Sequence, residues 1–413
     1  RMTWPFGGLP LGGVFLGQAG GPVLGLARLG GPLALTAAVY VGGVGLAALA
    51  EWVVRSMRDG HRSRVFSKSQ WALGSGDGLA RGALAGLGSL FSLGALCLVV
   101  LIGSVVVADH LPDGGPPIGH VAVAAIQGGG KRGFHNSEVA PASVLVAQVA
   151  ATHEMAFIDG GKNPELVLWP EDVVSLDGPL DGSPEEVALS TLARQLHTTL
   201  VVGVTEDVSP TTFRNEIVAF GPDGRLVDRY EKVHRVPFGE YVPFRGLFSH
   251  IANLSAVPRD AIPGTGDGLL STPAGPLGAM VSYEVFYADR GRAPVRAGAE
   301  LLIVPTNTSS YATSQVPTQE VAAAKVQAVE EGRDLLQASP TGYSAAITNQ
   351  GTLLSRSVLG ARQVVFADLA LRRGMTPYAG GGDLPMLIIG GVALVLGWLV
   401  AWRRNGGDRP AYR

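Results

Sequence analysis

Three stretches of the chain are apolar and long enough to cross a lipid bilayer as helices, which takes about 20 residues. They run from about Leu29 to Val54, from about Gly82 to Ala108 and from about Leu384 to Trp402. The second contains 27 consecutive residues without a charge, which is long for the alternative, a buried core helix of a soluble domain. The pattern therefore predicts three transmembrane helices.

Arginine and lysine residues cluster beside these stretches and predict which side of the membrane each end faces. They are Arg55, Arg58, Arg62, Arg64, Lys68 and Arg81 between the first two stretches, and Arg403, Arg404, Arg409 and Arg413 after the third. By the positive-inside rule both segments are cytoplasmic, so residues 1–28 and 109–383 are expected outside the cytoplasm. A chain that starts outside without a signal peptide needs an earlier span, so further transmembrane helices are expected upstream of Arg1.

Short β-rich runs alternate with helical periodicity between residues 118 and 375. Turn signals at 221–224 and 349–351 predict hairpins. The alternation predicts a layered α/β domain of about 250 residues. The predicted strands are Val121–Ile126, Glu165–Trp169, Thr199–Val204, Glu216–Phe220, Leu277–Ser282, Glu300–Val304, Ser344–Thr348 and Val364–Leu369, and the predicted helices lie near Val139–Phe157, Pro184–His197 and Thr318–Gly332.

These patterns divide the chain into three predicted parts. Residues 1–117 form a membrane region, residues 118–375 an extracytoplasmic α/β domain, and residues 376–413 a C-terminal segment with the third span and a basic cytoplasmic tail. Joints rich in proline and glycine, at 109–117 and 374–383, are the predicted tethers between the domain and the flanking spans.

Composition agrees with a membrane protein, because 46% of the residues are hydrophobic, only 16% are charged and the mean hydropathy is +0.26. The net charge of -2 and the lack of a basic stripe predict no nucleic-acid partner. The one cysteine, Cys97, lies in an apolar run, which excludes a disulfide within the chain and a cysteine-rich metal site. No cofactor and no metal are expected.

Three segments place polar side chains directly after an apolar run, where reactive groups are often held. In the first, Glu171 follows the run Leu166–Trp169 and is fixed by Pro170. A carboxylate at the end of a buried strand is well placed to have a raised pKa and to act as a base. Acidic residues also cap strands and start helices, so Glu171 alone indicates little.

The second segment, residues 230–244, is unusually dense in aromatic, proline and charged residues for a surface loop. Lys232 could neutralise an oxyanion, and Glu240 could orient that lysine. His234 is interpreted as structural, because no second histidine or aspartate is placed to complete a serine–histidine relay.

In the third segment Ser282 ends a predicted strand just before a helical segment, which is the geometry of a nucleophile elbow. It is not the Gly-x-Ser-x-Gly of an α/β-hydrolase, because Met280 and Glu284 occupy the glycine positions. A serine in such a place would by itself mean little.

Taken together, the three segments resemble a known family. A glutamate, then a lysine, then a nucleophile about 50 residues later is the order of the nitrilase superfamily, whose nucleophile is cysteine. The run YEKVHRVPFGEYVPF at 230–244 resembles the lysine segment of bacterial apolipoprotein N-acyltransferases. LVLWPED at 166–172 resembles their glutamate segment, and MVSYEVFY at 280–287 their nucleophile segment with serine in place of cysteine. The resemblance extends to residues 8–22 and 374–385, and family members carry additional helices upstream.

The resemblance implies a four-layer αββα sandwich joined to a transmembrane helix bundle. It implies that Glu171 is the general base, that Lys232 stabilises the oxyanion and that Ser282 holds the position of the acyl-accepting cysteine. Glu240, Tyr283 and Glu284 match further residues that line the family's pocket.

The implied reaction has two steps. An acyl chain moves from a phospholipid to the nucleophile and then to the α-amino group of a diacylglyceryl-cysteine at a lipoprotein N-terminus. The implied partners are a phospholipid acyl donor, a diacylated lipoprotein acceptor and the bilayer. The implied location is the bacterial plasma membrane, with the catalytic domain outside the cytoplasm and the C-terminus inside.

Ser282 is the main departure from the family. A serine hydroxyl is a far weaker acid than a thiol, and a carboxylate without a histidine is poorly matched to it. The chain is therefore expected to be inactive or very slow, as a deliberate Cys→Ser replacement, a natural pseudoenzyme or a serine variant that forms an oxyester. Gln327, the run 339–341 and the loop 305–312 also depart from the family and leave the donor and acceptor contacts open.

Two other functions stay open at this point. One is a membrane-anchored nitrilase-type amidase, in which water accepts the acyl group. The other is a non-catalytic lipid- or lipoprotein-binding protein. Under the acyltransferase interpretation, Glu171, Lys232 and Ser282 are expected to share one pocket. Its mouth is expected to open toward the membrane, with residues 238–250 and the pair Phe286-Tyr287 around it.

Overall fold

A computed structural model describes residues 13–66, 77–130, 140–158, 163–250, 254–255, 257–311 and 314–406. The helices, in chain order, are α1 (Ala27–Phe66), α2 (Asp77–Asp109), α3 (Pro141–Ile158), α4 (Pro184–Leu196), α5 (Arg245–Phe248), α6 (Ala288–Ala297), α7 (Val316–Glu331), α8 (Pro377–Gly381) and α9 (Leu384–Gly406). The strands are β1 (Gly119–Gln127), β2 (Leu166–Leu168), β3 (Val174–Leu176), β4 (Thr199–Ser209), β5 (Thr212–Phe220), β6 (Leu226–Glu231), β7 (Asp260–Ala261), β8 (Leu269–Thr272), β9 (Gly275–Ala279), β10 (Leu301–Pro305), β11 (Leu335–Ala338), β12 (Ala345–Ile347), β13 (Leu353–Arg356) and β14 (Gln363–Leu371).

The strands form two mixed sheets. The first has the order β14-β1-β2-β4-β5-β6, with β3 beside β4 and β7 beside β5, and the second has the order β13-β12-β11-β10-β9-β8. The central strands β1, β2 and β4 pair in parallel, as do β9, β10 and β11. The carboxyl ends of these parallel neighbours therefore lie along the same edge of each sheet.

Alternate residues of each strand point to opposite faces, and both faces of the first sheet are buried. In β1, Val121, Val123 and Ala125 pack in a core shared with the second sheet, where they meet residues such as Leu277 and Ile303. Ala124 and Ile126 point the other way. The two sheets thus pack face to face around a common apolar layer.

Helices cover the outer face of each sheet. Ala151 of α3 and Leu192 of α4 pack against the outward residues of the first sheet. Val295 of α6 and Ala324 of α7 pack against outward residues of the second sheet, such as Leu302. The predicted four-layer αββα sandwich is confirmed.

Each of the eight predicted strands has a counterpart, and α3, α4 and α7 match the three predicted helices to within about two residues at each end. Both predicted hairpins are present, between β5 and β6 and between β12 and β13. The predicted strand 277–282 is too long, because β9 ends at Ala279 and Ser282 begins a short 3₁₀ helix, Ser282–Phe286.

The three predicted spans are helical. The segments Leu24–Arg58, Ser89–Asp109 and Leu384–Arg403 are long and apolar enough to cross a membrane, and α1 packs along α2. The assignment of each end to one side of a membrane stays a prediction. Part of that argument rests on residues outside the described ones, namely residues 1–12, Lys68, Arg409 and Arg413.

The beginning of α1 ties these helices to the sandwich. Leu24, Ala27 and Leu35 belong to the same buried cluster as residues of α7. The helix is kinked at Gly30 and Gly31, just before Pro32. Gly31 has a φ of 55°, and a Cβ there would lie 2.5 Å from the Tyr378 ring. The kink therefore requires glycine, and it lets α1 pass against α8.

Candidate active site

The three predicted reactive residues line one cavity of about 440 Å³. Glu171 lies just beyond β2, Lys232 directly follows β6, and Ser282 lies just beyond β9. Glu240 and Tyr283 also line this cavity. The structure therefore brings five of the six predicted site residues to one place.

A close backbone approach positions Glu171. The Gly203 N–H on β4 donates to the carbonyl of Pro170, and a Cβ on Gly203 would lie 2.5 Å from the Glu171 Cα. Glycine is therefore needed at this point of β4. Trp169, just before, is fully buried and donates from Nε1 to Thr152 Oγ1 at 3.0 Å, which fixes the end of β2 against α3.

Lys232 is the centre of a buried charge network. Its Nζ donates to Glu171 Oε1 and to Glu240 Oε1, each at 2.7 Å. Asn215 Nδ2 donates to the same two oxygens, each at 2.9 Å. The side chain of Lys232 is only 1% exposed, and such burial is tolerated because both the charge and its donors are paired.

Burial alone would lower the pKa of Lys232, but the carboxylates of Glu171 and Glu240 outweigh it and hold that pKa above its usual range. Lys232 is therefore a fixed positive charge inside the cavity. Burial raises the pKa of Glu171, and the Lys232 ammonium opposes that shift. The second oxygen of Glu240 accepts from the Val236 N–H at 2.7 Å, which closes the loop after β6 around the lysine.

Ser282 has a strained backbone, with a φ of 50°. A residue with a Cβ enters this left-handed region at a cost, and such strain is concentrated at functional sites. The side chain is largely buried, at 7% exposure. Its Oγ lies 3.2 Å from Thr306 Oγ1 and 3.5 Å from Glu320 Oε1.

Thr306 and Glu320 were not predicted as site residues. Thr306 directly follows β10, and Glu320 lies in the first half of α7. Thr306 Oγ1 is 2.9 Å and 2.8 Å from the two carboxyl oxygens of Glu320. Burial, chiefly, raises the pKa of Glu320 to about 8. A usable sequence signal existed for Thr306, because it directly follows the apolar run Leu301–Pro305, as Glu171 and Ser282 follow theirs.

Glu284, which was expected to line the pocket, is not among the described residues that border the cavity. Its fully buried carboxylate lies beneath the site. There it accepts from Tyr230 Oη at 2.9 Å and from three backbone N–H groups, those of Val233, His234 and Val281, at 2.8, 3.0 and 2.9 Å. Glu284 thus fastens the Lys232 loop to the Ser282 turn.

Some of the residues predicted around the mouth of the pocket border the cavity. Gly239, Glu240 and Phe286 border the cavity, whereas Tyr287 is buried and stacks on the His234 ring at 4.1 Å. Three apolar residues of the 238–250 loop are exposed, namely Phe238 at 50%, Phe244 at 53% and Leu247 at 64%. Whether this side faces a membrane stays a prediction. His234 is not among the described residues that line the cavity, in line with its structural interpretation.

Replacing Glu284 with alanine should destabilise the domain. Four donors would lose their acceptor, two of them in buried and two in partly buried hydrogen bonds, and each buried unsatisfied donor costs about 1–3 kcal/mol. We expect a loss of at least about 3 kcal/mol, which corresponds to a melting temperature lower by roughly 5–10 °C in a domain of this size. Thermal unfolding of the purified protein measures it. The matched control is Glu154→Gln, at an exposed carboxylate paired with Arg362, and an equal shift in both variants would contradict the role of Glu284.

Among the described residues, no group of three or more His, Cys, Asp or Glu side chains is arranged to hold a metal ion. The site offers a paired ammonium, two carboxylates that hold it, and a hydroxyl beside a third carboxylate. Such a set can attack an acyl carbonyl and stabilise the oxyanion that forms.

Several curated proteins are similar to this chain in sequence. The chain is 28% identical over 407 residues to the apolipoprotein N-acyltransferase of Mycolicibacterium smegmatis, a match that covers 95% of this chain and 64% of that protein. It is 30% identical over 309 residues to the one of Geobacter metallireducens, which covers 72% of this chain and 56% of that protein. The chain therefore spans less than two thirds of the length of these relatives.

A solved structure of a branch 10 nitrilase-superfamily protein from Saccharomyces cerevisiae matches with a TM-score of 0.47 and 19% identity, over 62% of this chain and 91% of that one. The sequence model of the carbon-nitrogen hydrolase family matches residues 156–374. That match includes Glu171, Lys232 and Ser282 and extends over more than half of the chain. The chain therefore belongs to the carbon-nitrogen hydrolase family, and its curated relatives are apolipoprotein N-acyltransferases.

Proposed function

We propose that this chain transfers an acyl chain from a phospholipid to the N-terminal α-amino group of a diacylglyceryl-cysteine on an apolipoprotein. The transfer proceeds through an acyl-enzyme at position 282. The observation that carries the proposal is the buried ammonium of Lys232, which shares one cavity with Ser282 on its strained turn. The named activity of the two relatives supports the choice of substrates.

In the first step the Ser282 Oγ attacks the ester carbonyl of the phospholipid, and its proton passes to a carboxylate of the site. The carbonyl oxygen becomes an oxyanion, which the Lys232 ammonium stabilises. The carbon–oxygen bond to the glycerol then breaks, and the lysophospholipid leaves after taking a proton. In the second step the lipoprotein amine attacks the acyl-enzyme, an amide forms, and Ser282 regains its proton.

The packing of the helices supports access of a lipid to the cavity. Helix α7 carries Glu320 at the cavity, and the same helix packs against the start of α1. The cavity is thus one helix away from a segment long and apolar enough to span a membrane. An acyl chain that leaves a bilayer for water would cost about 0.8 kcal/mol for each exposed methylene, so a site beside the spans suits a lipid donor better than a soluble amide.

The proposed membrane arrangement is the one that the arginine clusters predict. The α/β domain, residues 118–375, faces the extracytoplasmic side of the bacterial plasma membrane, and the C-terminal tail is cytoplasmic. Residues 1–117 and 376–413 supply the spans. A phospholipid then enters from the outer leaflet, on the side where a lipoprotein N-terminus is presented.

Intact-mass spectrometry tests the reaction. The full chain in detergent micelles is incubated with a phospholipid that carries an isotope-labelled acyl chain, with Ser282→Cys as the more reactive form. We expect Ser282→Cys to gain one acyl mass that hydroxylamine removes, because a carboxylate activates a thiol near neutral pH. A diacylglyceryl-cysteine peptide added afterwards should discharge it as an amide. Ser282→Ala is the blank.

Two outcomes would contradict the proposal. If neither the chain as it stands nor the Ser282→Cys variant ever gains the acyl mass, no acyl-enzyme forms and acyl transfer is wrong. If the acyl group is released as free fatty acid at the same rate with and without the peptide, water is the acceptor and the chain acts as a hydrolase.

A further inference from the structure

Ser282 lies beside a carboxylate other than Glu171. The described hydrogen-bond partners of its Oγ are Thr306 at 3.2 Å and Glu320 at 3.5 Å. The described hydrogen bonds of Glu171, in contrast, come from Lys232 and Asn215, and both reach the same oxygen. Glu171 is thus part of the lysine network, whereas Glu320 is the carboxylate beside the nucleophile.

Glu320 is costly to keep at this position. It is 2% exposed, and among the residues that the structure describes it forms no ion pair. Burying a carboxyl group in this way is unfavourable unless hydrogen bonds compensate. The hydroxyls of Thr306 and Ser282 provide them, so the three side chains form one small polar cluster against the cavity.

The geometry of this cluster suits a proton relay. The Thr306 hydroxyl has a single hydrogen, and its contacts with Glu320, at 2.9 and 2.8 Å, are shorter than its contact with Ser282. When that hydrogen points to Glu320, the Thr306 oxygen is left to accept from the Ser282 hydroxyl. Ser282 can therefore give up its proton to Glu320 directly or through Thr306.

We propose that Glu320 is the general base for Ser282, with Thr306 as the bridging hydroxyl, and that Ser282 is a working nucleophile that forms an oxyester. This rests on the proposed acyl transfer. The expectation of an inactive chain rested on the poor match between a serine hydroxyl and a carboxylate base without a histidine. The Thr306 hydroxyl and the Glu320 carboxylate beside Ser282 offer a proton relay in place of that histidine. Its burial also favours this role, because a carboxyl with a pKa of about 8 matches a hydroxyl better than an ordinary glutamate does.

Atoms and charges balance in the proposed step. The Ser282 Oγ–H bond breaks as Oγ bonds to the acyl carbon, and the proton moves to the ionised Glu320. Lys232 stabilises the oxyanion. When the oxyanion collapses, the bond to the glycerol oxygen breaks, and Glu320 returns its proton to that oxygen. The enzyme is left as a serine ester with Glu320 ionised again, ready to take a proton from the attacking amine.

A substitution in two backgrounds tests the base. Glu320→Gln is made in the chain as it stands and in Ser282→Cys, and the rate of acyl-enzyme formation is measured by intact mass. With serine at 282 the rate should fall by at least about 100-fold, since a positioned base contributes 10²–10⁴. With cysteine it should fall by less than about tenfold, because a thiol, with an ordinary pKa of about 8.5, depends much less on a base than a hydroxyl does. Glu331→Gln is the control, at a buried carboxyl on the same helix that does not border the cavity.

The pH dependence provides a second readout. Glu171 and Lys232 are the charged groups that face Glu320, the first raising and the second lowering its pKa. A base acts when ionised, so the rate with Ser282 should rise with pH and level off above about 8. Glu320→Gln should flatten this profile.

The remaining outcomes of the Glu320→Gln experiment also show whether Glu320 is the base. Equal losses in the two backgrounds would make Glu320 structural, and no loss with serine would exclude it as the base. If the Ser282→Cys variant acylates and the chain with Ser282 does not, the acyl-transfer proposal stands and the inference about Glu320 is wrong. If neither form acylates, both proposals fail.

Discussion

Replacing Lys232 with methionine is expected to lower the rate of acyl-enzyme formation about 1,000-fold, since the loss of one preorganised oxyanion donor typically costs 10²–10³. We expect the upper end of this range because Lys232 carries a full positive charge and is held in a buried position by Glu171 and Glu240. The measurement is the rate of acyl gain on the protein from labelled phospholipid, followed by intact mass.

The same substitution should also destabilise the domain, so its effect on stability has to be distinguished from its effect on the acylation rate. Without Lys232, the buried carboxylate of Glu171 faces the partly buried one of Glu240, and breaking a buried ion pair costs about 3–5 kcal/mol. Adding Glu240→Gln restores the original net charge of the cluster and keeps Glu171. The double variant should regain much of the lost thermal stability and none of the activity. If activity returned together with stability, Lys232 would have a structural role only.

Most of the fold could be predicted because the central strands are buried on both faces. Such strands read as continuous apolar runs, and β10 is buried at all five residues. The strands β3, β7, β8 and β11 were not predicted, and β7, with only two residues, is too short to show a period. Helix α6 was missed for another reason: it contains Gly291 and Pro294, and packing against the second sheet overrides its poor helix propensity.

Site residues next to apolar strands could be predicted, whereas those brought in by tertiary packing could not. Glu171 and Lys232 stand next to apolar strands, so their positions could be predicted from local patterns together with the family resemblance. Glu320 could not, because nothing in the run VPTQEVAAAKV shows that α7 crosses the carboxyl ends of β9 and β10. Asn215 lies inside β5 and joins the network only because the Lys232 N–H pairs with its carbonyl. These contacts depend on tertiary packing alone.

The expected role of Glu284 shows the limit of resemblance. A match of residue type at the right spacing predicted a side chain in the pocket, and the structure places that carboxylate beneath it, bonded to four donors. Its neighbour Tyr283 does border the cavity. The two residues are adjacent in a short 3₁₀ helix and so point in different directions. Tyr283 borders the cavity, and Glu284 holds the turn in place.

Substitutions of Ser282 should abolish acylation and at the same time report the strain of its turn. Neither Ser282→Ala nor Ser282→Gly can form an acyl-enzyme, so the acyl mass should be absent in both. Their stabilities should differ, because alanine keeps the Cβ at a φ of 50° and glycine does not. The left-handed conformation costs a residue with a Cβ about 1–2 kcal/mol. Glycine loses more conformational entropy on folding than alanine does, so we expect Ser282→Gly to be more stable than Ser282→Ala by about 0.5–1 kcal/mol.

Thermal unfolding of the two variants side by side measures this difference without interference from the lost hydroxyl, which both lack. At an ordinary position the order would be reversed, since glycine loses more conformational entropy on folding than alanine does, by roughly 0.5–1 kcal/mol. A more stable alanine variant would therefore contradict the strained turn. A more stable glycine variant would mean that the domain gives up stability to hold the oxygen of residue 282 toward the cavity, in reach of Thr306 and Glu320, and such a cost is expected only where that oxygen has chemistry to perform.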